Sequence, residues 1–203
     1  MARVKPKRHG VVVDMTAMCD VAFLLLTFFI LTTQFKKPDV EKITAPSSIS
    51  ESLLPDGGVM TIDITPDGKF YFQPVDDATG RQELIKKMAA KYNVQGLTNQ
   101  DINSFIKAQA IGVPMSQLKK YLELPEDEQK SYKSPTGVPM DSTRKELIDW
   151  VQQSMAVNPQ YKLAIKGDVN TKYPKVKDLF EGLRDIELLK FWLITTQEGK
   201  PNE

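Results

Sequence analysis

Cysteine and histidine each occur once in the 203 residues. One thiol cannot close an intramolecular disulfide, and one thiol with one imidazole cannot complete a Cys2His2 metal site. The chain also lacks a GxxxxGK[ST] phosphate loop, a GxGxxG dinucleotide turn and any Ser-His-Asp arrangement, since His9 lies in a basic N-terminal arm and reads as solvated. An excess of one charge is missing as well: 27 Lys and Arg stand against 26 Asp and Glu, for a formal net charge of +1. Bulk electrostatics therefore offer nothing to a nucleic acid. No cofactor, no metal site and no enzyme constellation is expected.

Charge is also missing locally. From Val21 to Phe35 there is no charged side chain, and Val11 to Phe35 carries only Asp14 and Asp20. Twenty-five helical residues reach about 37 Å, which covers a hydrocarbon core of about 30 Å with room for tilt. The run VAFLLLTFFIL has no polar face, unlike a surface helix of a soluble domain. A cleaved signal sequence would end in a small-x-small site, and TTQFKKPD supplies none. The segment 11–35 therefore reads as an uncleaved single-pass anchor. Arg3, Lys5, Lys7 and Arg8 precede it, and Lys36 and Lys37 follow it. The positive-inside rule puts residues 1–10 in the cytoplasm and the remainder outside it.

Asp20 is the anomaly in this anchor. A carboxylate near mid-membrane costs about 2.5–3.5 kcal/mol on insertion scales, so it needs a partner helix or a hydrated path. At about 100° per residue, Asp20 shares a helix face with Thr16, Leu24 and Thr27, whereas Asp14 lies about 120° away and nearer the cytoplasmic end. Thr16, Asp20 and Thr27 thus form a stripe of one acid between two hydroxyls. The threonines can bond back to their own helix carbonyls, or they can hydrate the acid. A protonatable group in a membrane is a candidate relay for protons or ions.

The residues from Asp14 to Thr33, DMTAMCDVAFLLLTFFILTT, closely resemble the membrane helix of the ExbD/TolR family. The match includes Met15, Thr16, Met18, Asp20, Val21, the run from Phe23 to Leu26, Phe28, Phe29, Thr32 and Thr33. Ala17 stands where that family usually has a proline. The resemblance implies a stator subunit of a proton-driven motor in the bacterial inner membrane, with Asp20 as the proton-relay carboxylate. It also implies a polytopic ring subunit of the ExbB/TolQ type around the helix, a homodimer, and a periplasmic partner of the TonB/TolA type. The C-terminal segment carries further points of resemblance at Lys166, Gly167, Asp168, Tyr173, Leu183 and Thr195.

Beyond the anchor, residues 36–57 are rich in Pro and Ser and read as an extended linker, with a short strand conceivable at 42–44. VMTIDIT (59–65), the turn PDG (66–68) and KFYFQP (69–74) form a hairpin pattern. Thr79 and Gln82 suggest a capping box for a helix running to about Lys91. Residues 93–140 read as an insertion with two short helices and a charged loop, PEDEQKSYKSPTGVP. A helix is expected from Asp141 or Ser142, with Arg144, Lys145 and Glu146 turned outward. A strand is expected at 161–168, an amphipathic helix at 173–187 and a last strand at 190–197. Trp150 and Trp192 sit in apolar patterns and read as core. Asp168 follows a strand and reads as a strand-end cap.

The expected fold class is α+β: one N-terminal transmembrane helix, a linker, and at 58–203 a periplasmic domain with helices packed on one face of a mixed sheet. The expected function is proton-motive-force-driven energy transduction. The alternative is a passive anchor for a periplasmic module that binds cell wall or a protein.

Overall fold

The computed structural model describes residues 15–33, 43–48, 55, 57–132, 136–141 and 143–197. The chain divides into two compact units, Met1–Pro38 and Asp39–Glu203. Asp14, the basic arm with His9, Lys36 and Lys37 lie outside the described residues.

The first unit contains α1 (Met15–Thr32), 18 residues, or about 27 Å of helix. It is the one described helix long and apolar enough to cross a membrane. None of its residues is buried.

The second unit is α+β. In chain order its elements are β1 (Ser47–Ser48), β2 (Val59–Ile64), β3 (Phe70–Gln73), α2 (Ala78–Lys91), α3 (Asn99–Lys107), α4 (Met115–Leu122) and α5 (Glu126–Ser131), followed by α6 (Glu146–Val157), β4 (Lys162–Gly167), α7 (Tyr173–Asp185), β5 (Trp192–Leu193) and β6 (Thr196–Gln197). The main sheet is mixed, in the order β3-β2-β4-β5. β2 and β3 form the antiparallel hairpin, with Ile62 opposite Phe72. β2 pairs parallel with β4, and β4 with β5 across the α7 crossover.

Strand alternation builds the core. Met60, Ile62 and Ile64 of β2 are buried with Leu163 and Ile165 of β4, against Leu84, Ile85 and Met88 of α2 and Leu147 and Val151 of α6. Trp150 is fully buried. Its ring stacks on Phe72 at 5.8 Å and on Phe105 at 5.7 Å, tying β3, α6 and α3 together. Trp192 is only half-buried.

Residues 93–140 are part of this core rather than an appendage. Phe105, Val113, Leu118 and Leu122 are buried in the same cluster. The segment also covers the free edge of β3: Phe72 and Ile111 exchange backbone hydrogen bonds of 2.8 and 2.7 Å, and the Val138 N–H donates to Phe70 O at 2.8 Å. An uncovered edge is a template for unwanted strand pairing, and this one is closed. Gly112 permits the approach, since a Cβ there would lie 2.2 Å from Tyr71 Cε1.

Several expectations are corrected. The cap of α2 is Asp77, whose Oδ1 accepts from Thr79 N at 3.1 Å, so the helix starts before Thr79. The capping box lies instead at Thr98 and Asp101, opening α3. The charged loop PEDEQKS contains the short helix α5. Glu146 is buried rather than outward: its Oε2 accepts from Met115 N at 2.8 Å and so caps α4, which opens on Pro114 and has no side-chain cap of its own. The last strand is broken in two. β5 joins the main sheet, whereas β6 pairs in parallel with β1. The short strand of the linker is therefore Ser47–Ser48; Ile43 and Thr44 are not in strand, and residue 42 lies outside the described residues.

Candidate functional site in the membrane helix

Asp20 is the sixth residue of α1, about 7.5 Å along its axis from Met15. Thr16 precedes it by four residues and Thr27 follows by seven, so the helix keeps all three on one face. Asp20 and Thr16 are exposed and Thr27 is half-buried within the chain. Among the described residues of α1, Asp20 is the one ionisable carboxylate. Cys19, also exposed, is adjacent to it.

The structure decides how Thr27 uses its proton. Its Oγ1 donates to Phe23 O at 3.0 Å and to Leu24 O at 2.9 Å. Thr32 does the same toward Phe28 O at 2.7 Å, and Thr33 toward Phe29 O at 2.5 Å. These hydroxyls are satisfied by their own helix, which lets them sit in hydrocarbon without a partner. The Thr27 oxygen keeps acceptor capacity toward the stripe, but its hydrogen is committed.

Protonation turns Asp20 from an acceptor-only anion into a neutral group with one donor. Among the described residues no group of three or more His, Cys, Asp or Glu could hold a metal ion.

A second polar feature lies in the other unit. Asp168, just past β4, accepts from Asn170 N at 2.8 Å and from Thr44 N at 2.7 Å. Val169 N donates to Thr44 O at 3.0 Å. These N–H donors, Asn170 first and then Thr44, hold the Asp168 carboxyl below the ordinary aspartate range. The strand-end cap thus also docks a residue of the linker, and β1–β6 pairing holds the next few residues. The sequence signals Asp168 but not its partner, because Thr44 lies more than a hundred residues away.

An N-terminal helix long and apolar enough to cross a membrane, bearing one carboxylate and followed by an α+β domain, fits a membrane-anchored subunit. The family model described as "Biopolymer transport protein ExbD/TolR" matches residues 6–198, nearly the whole chain, and the chain belongs to that family. Neither a curated protein nor a solved structure matches it. Membership makes the chain an energy-transduction subunit for biopolymer transport, from a family whose members are not enzymes and generally work with ExbB/TolQ and TonB/TolA partners. The family and the apolar helix together point to a single-pass protein of the inner membrane.

Proposed function

We propose that the chain is the proton-relaying stator subunit of a motor driven by the proton-motive force. The observation that carries this reading is Asp20, a lone carboxylate in an otherwise uncharged described helix. A passive anchor gains nothing from an acid that opposes insertion by about 2.5–3.5 kcal/mol. A relay needs it, because protonation changes how α1 packs on a low-dielectric partner surface. The partner is a polytopic ring subunit of the ExbB/TolQ type surrounding two copies of α1. Thr16 and Thr27 flank the acid and supply acceptor oxygens along its face.

In this reading the N-terminal arm is cytoplasmic and residues 36–203 are periplasmic, with the domain at 58–203 passing force to a TonB/TolA-like chain. The linker sets how far force is passed. Thr44 docked on Asp168 and β1 paired with β6 hold part of the linker on the domain.

The test is purification of the chain from membranes, with α1 intact or replaced by an apolar helix of equal length lacking the acid. The relay reading expects a polytopic ring subunit to co-purify with the native chain and energised function to vanish on replacement. Full function with the replaced helix would return the chain to a passive anchor for a binding module.

A further inference from the structure

We propose that the domain carries a binding groove for a small carboxylate-bearing ligand, walled by the segment 93–140 and lying outside the membrane site. The groove has a volume of about 260 Å³. Its walls come from the β2–β3 turn, the first turn of α4, the loop at 136–141 and the first turn of α7. It is a built feature. Gly137 has φ +67° and lies so close to β3 that a Cβ there would sit 2.9 Å from Phe70 N and O. The Val138 N–H then locks to Phe70 O at 2.8 Å, fixing an apolar floor of Phe70 and Val138.

The charges above this floor favour an anion. Lys175 is half-buried, and its ammonium has no ion-pair partner among the described residues. Its stem is held against the turn at Gly68, where a Cβ would lie 2.9 Å from Lys175 Cγ. Arg144 also lines the groove, and among the described residues its guanidinium is engaged only through Nη2, 3.3 Å from Asp141 Oδ2. Asp141 is the one acid in the lining, and its Oδ1 is already used by Thr143 N at 2.9 Å and Arg144 N at 2.7 Å. Two cations therefore face a single carboxylate that is bonded to its own turn. Ser116 and Gln117 add neutral hydrogen-bonding groups to the lining.

A carboxylate suits this set, because Arg offers a planar fork and Lys a point charge. The volume admits a small molecule with an uncharged part over Phe70 and Val138. Two sources of such a group are a free dicarboxylate and the C-terminus of a short peptide.

The test is isothermal titration of the full chain in detergent with succinate, with N-acetylglycylglycine and with the amide of that peptide. Saturable one-to-one binding of either acid, with none for the amide, is expected. Lys175→Met should weaken it about tenfold, the loss of one charge-assisted contact, while Lys177→Met on the same helix should leave it unchanged. Arg144→Gln gives an independent second reading and should weaken it several-fold. Tighter binding of the peptide assigns the ligand to a chain terminus, and tighter binding of succinate to a free dicarboxylate. No saturable binding of either acid, equal binding of the amide, or binding unchanged in both Lys175→Met and Arg144→Gln would overturn the proposal.

Discussion

Arg81 joins the segment 93–140 to the rest of the domain, and its replacement is the sharpest test of how the fold is held. The side chain is 5% exposed. Its Nε donates to Val75 O at 2.8 Å, Nη1 to Ile106 O and Ala108 O at 2.7 Å each, and Nη2 to Pro74 O at 3.1 Å. Burial pulls its pKa down, and the charges of Asp76 and Asp77 oppose that. Asp76 is 3.7 Å away and 77% exposed, so it is a weak counter-ion. The four carbonyls therefore do most of the work of stabilising the guanidinium. In Arg81→Met the Val75 carbonyl keeps a donor, Asp77 N at 2.9 Å. The other three acceptors lose theirs, at about 1–3 kcal/mol for each one that water cannot reach. The lost guanidinium desolvation offsets part of this, leaving a net destabilisation of about 3–5 kcal/mol. Arg81→Lys retains charge without the fork and should cost about 1–3 kcal/mol. Asp76→Asn should cost under about 0.5 kcal/mol. Urea unfolding of the full chain in detergent, followed by Trp150 fluorescence in a Trp192→Phe background, measures all three. If Asp76→Asn equalled Arg81→Met, the ion pair and not the carbonyl cradle would hold Arg81, and the reasoning would fail.

Other outcomes follow from the same geometry. Gly137→Ala combines a positive φ with a 2.9 Å approach to Phe70 and should destabilise by about 1–3 kcal/mol in the same assay. Burial raises the pKa of Glu146, against the opposing bond from Met115 N. The fold thus favours its protonated form, and its contribution to stability falls as pH rises from the ordinary glutamate value through the raised one; Glu146→Gln should flatten that slope. The Asp168 carboxyl is shifted the other way, so docking of Thr44 persists above the ordinary aspartate value and is lost as pH falls through the lowered one. Asp168→Asn should raise amide exchange at Thr44 about tenfold at neutral pH, and unchanged exchange would show that the linker is held elsewhere. Thr27→Val removes a hydroxyl already bonded to its own helix, and should leave assembly with the ring subunit intact when co-purification is measured.

What the sequence reveals here is what local pattern encodes. The apolar run of α1, the alternation of VMTIDIT and KFYFQ around a PDG turn, and the spacing of Leu179 and Leu183 in α7 each repeat within one element. The misreadings share a cause: the deciding partner is distant or the element is short. Ser47–Ser48 is a strand only because Thr196–Gln197 lies beside it. Glu146 looks like a solvated first-turn acid until α4 brings Met115 N to it. α5 lies in a stretch too charged to show a helical stripe. Asp77 and Thr79 are both sound caps by residue type, and the β-region backbone at Asp77 decides between them. In the apolar helix, Asp20 is legible because burial in lipid penalises charge.

The central claim is that Asp20 carries protons. It is tested by proton flux into vesicles containing the chain with its co-purified ring subunit, under an imposed potential, for native protein and Asp20→Asn. The account predicts that Asp20→Asn assembles as the native chain does and conducts no more than protein-free vesicles. Flux equal to that of the native complex in a fully assembled Asp20→Asn complex would contradict it.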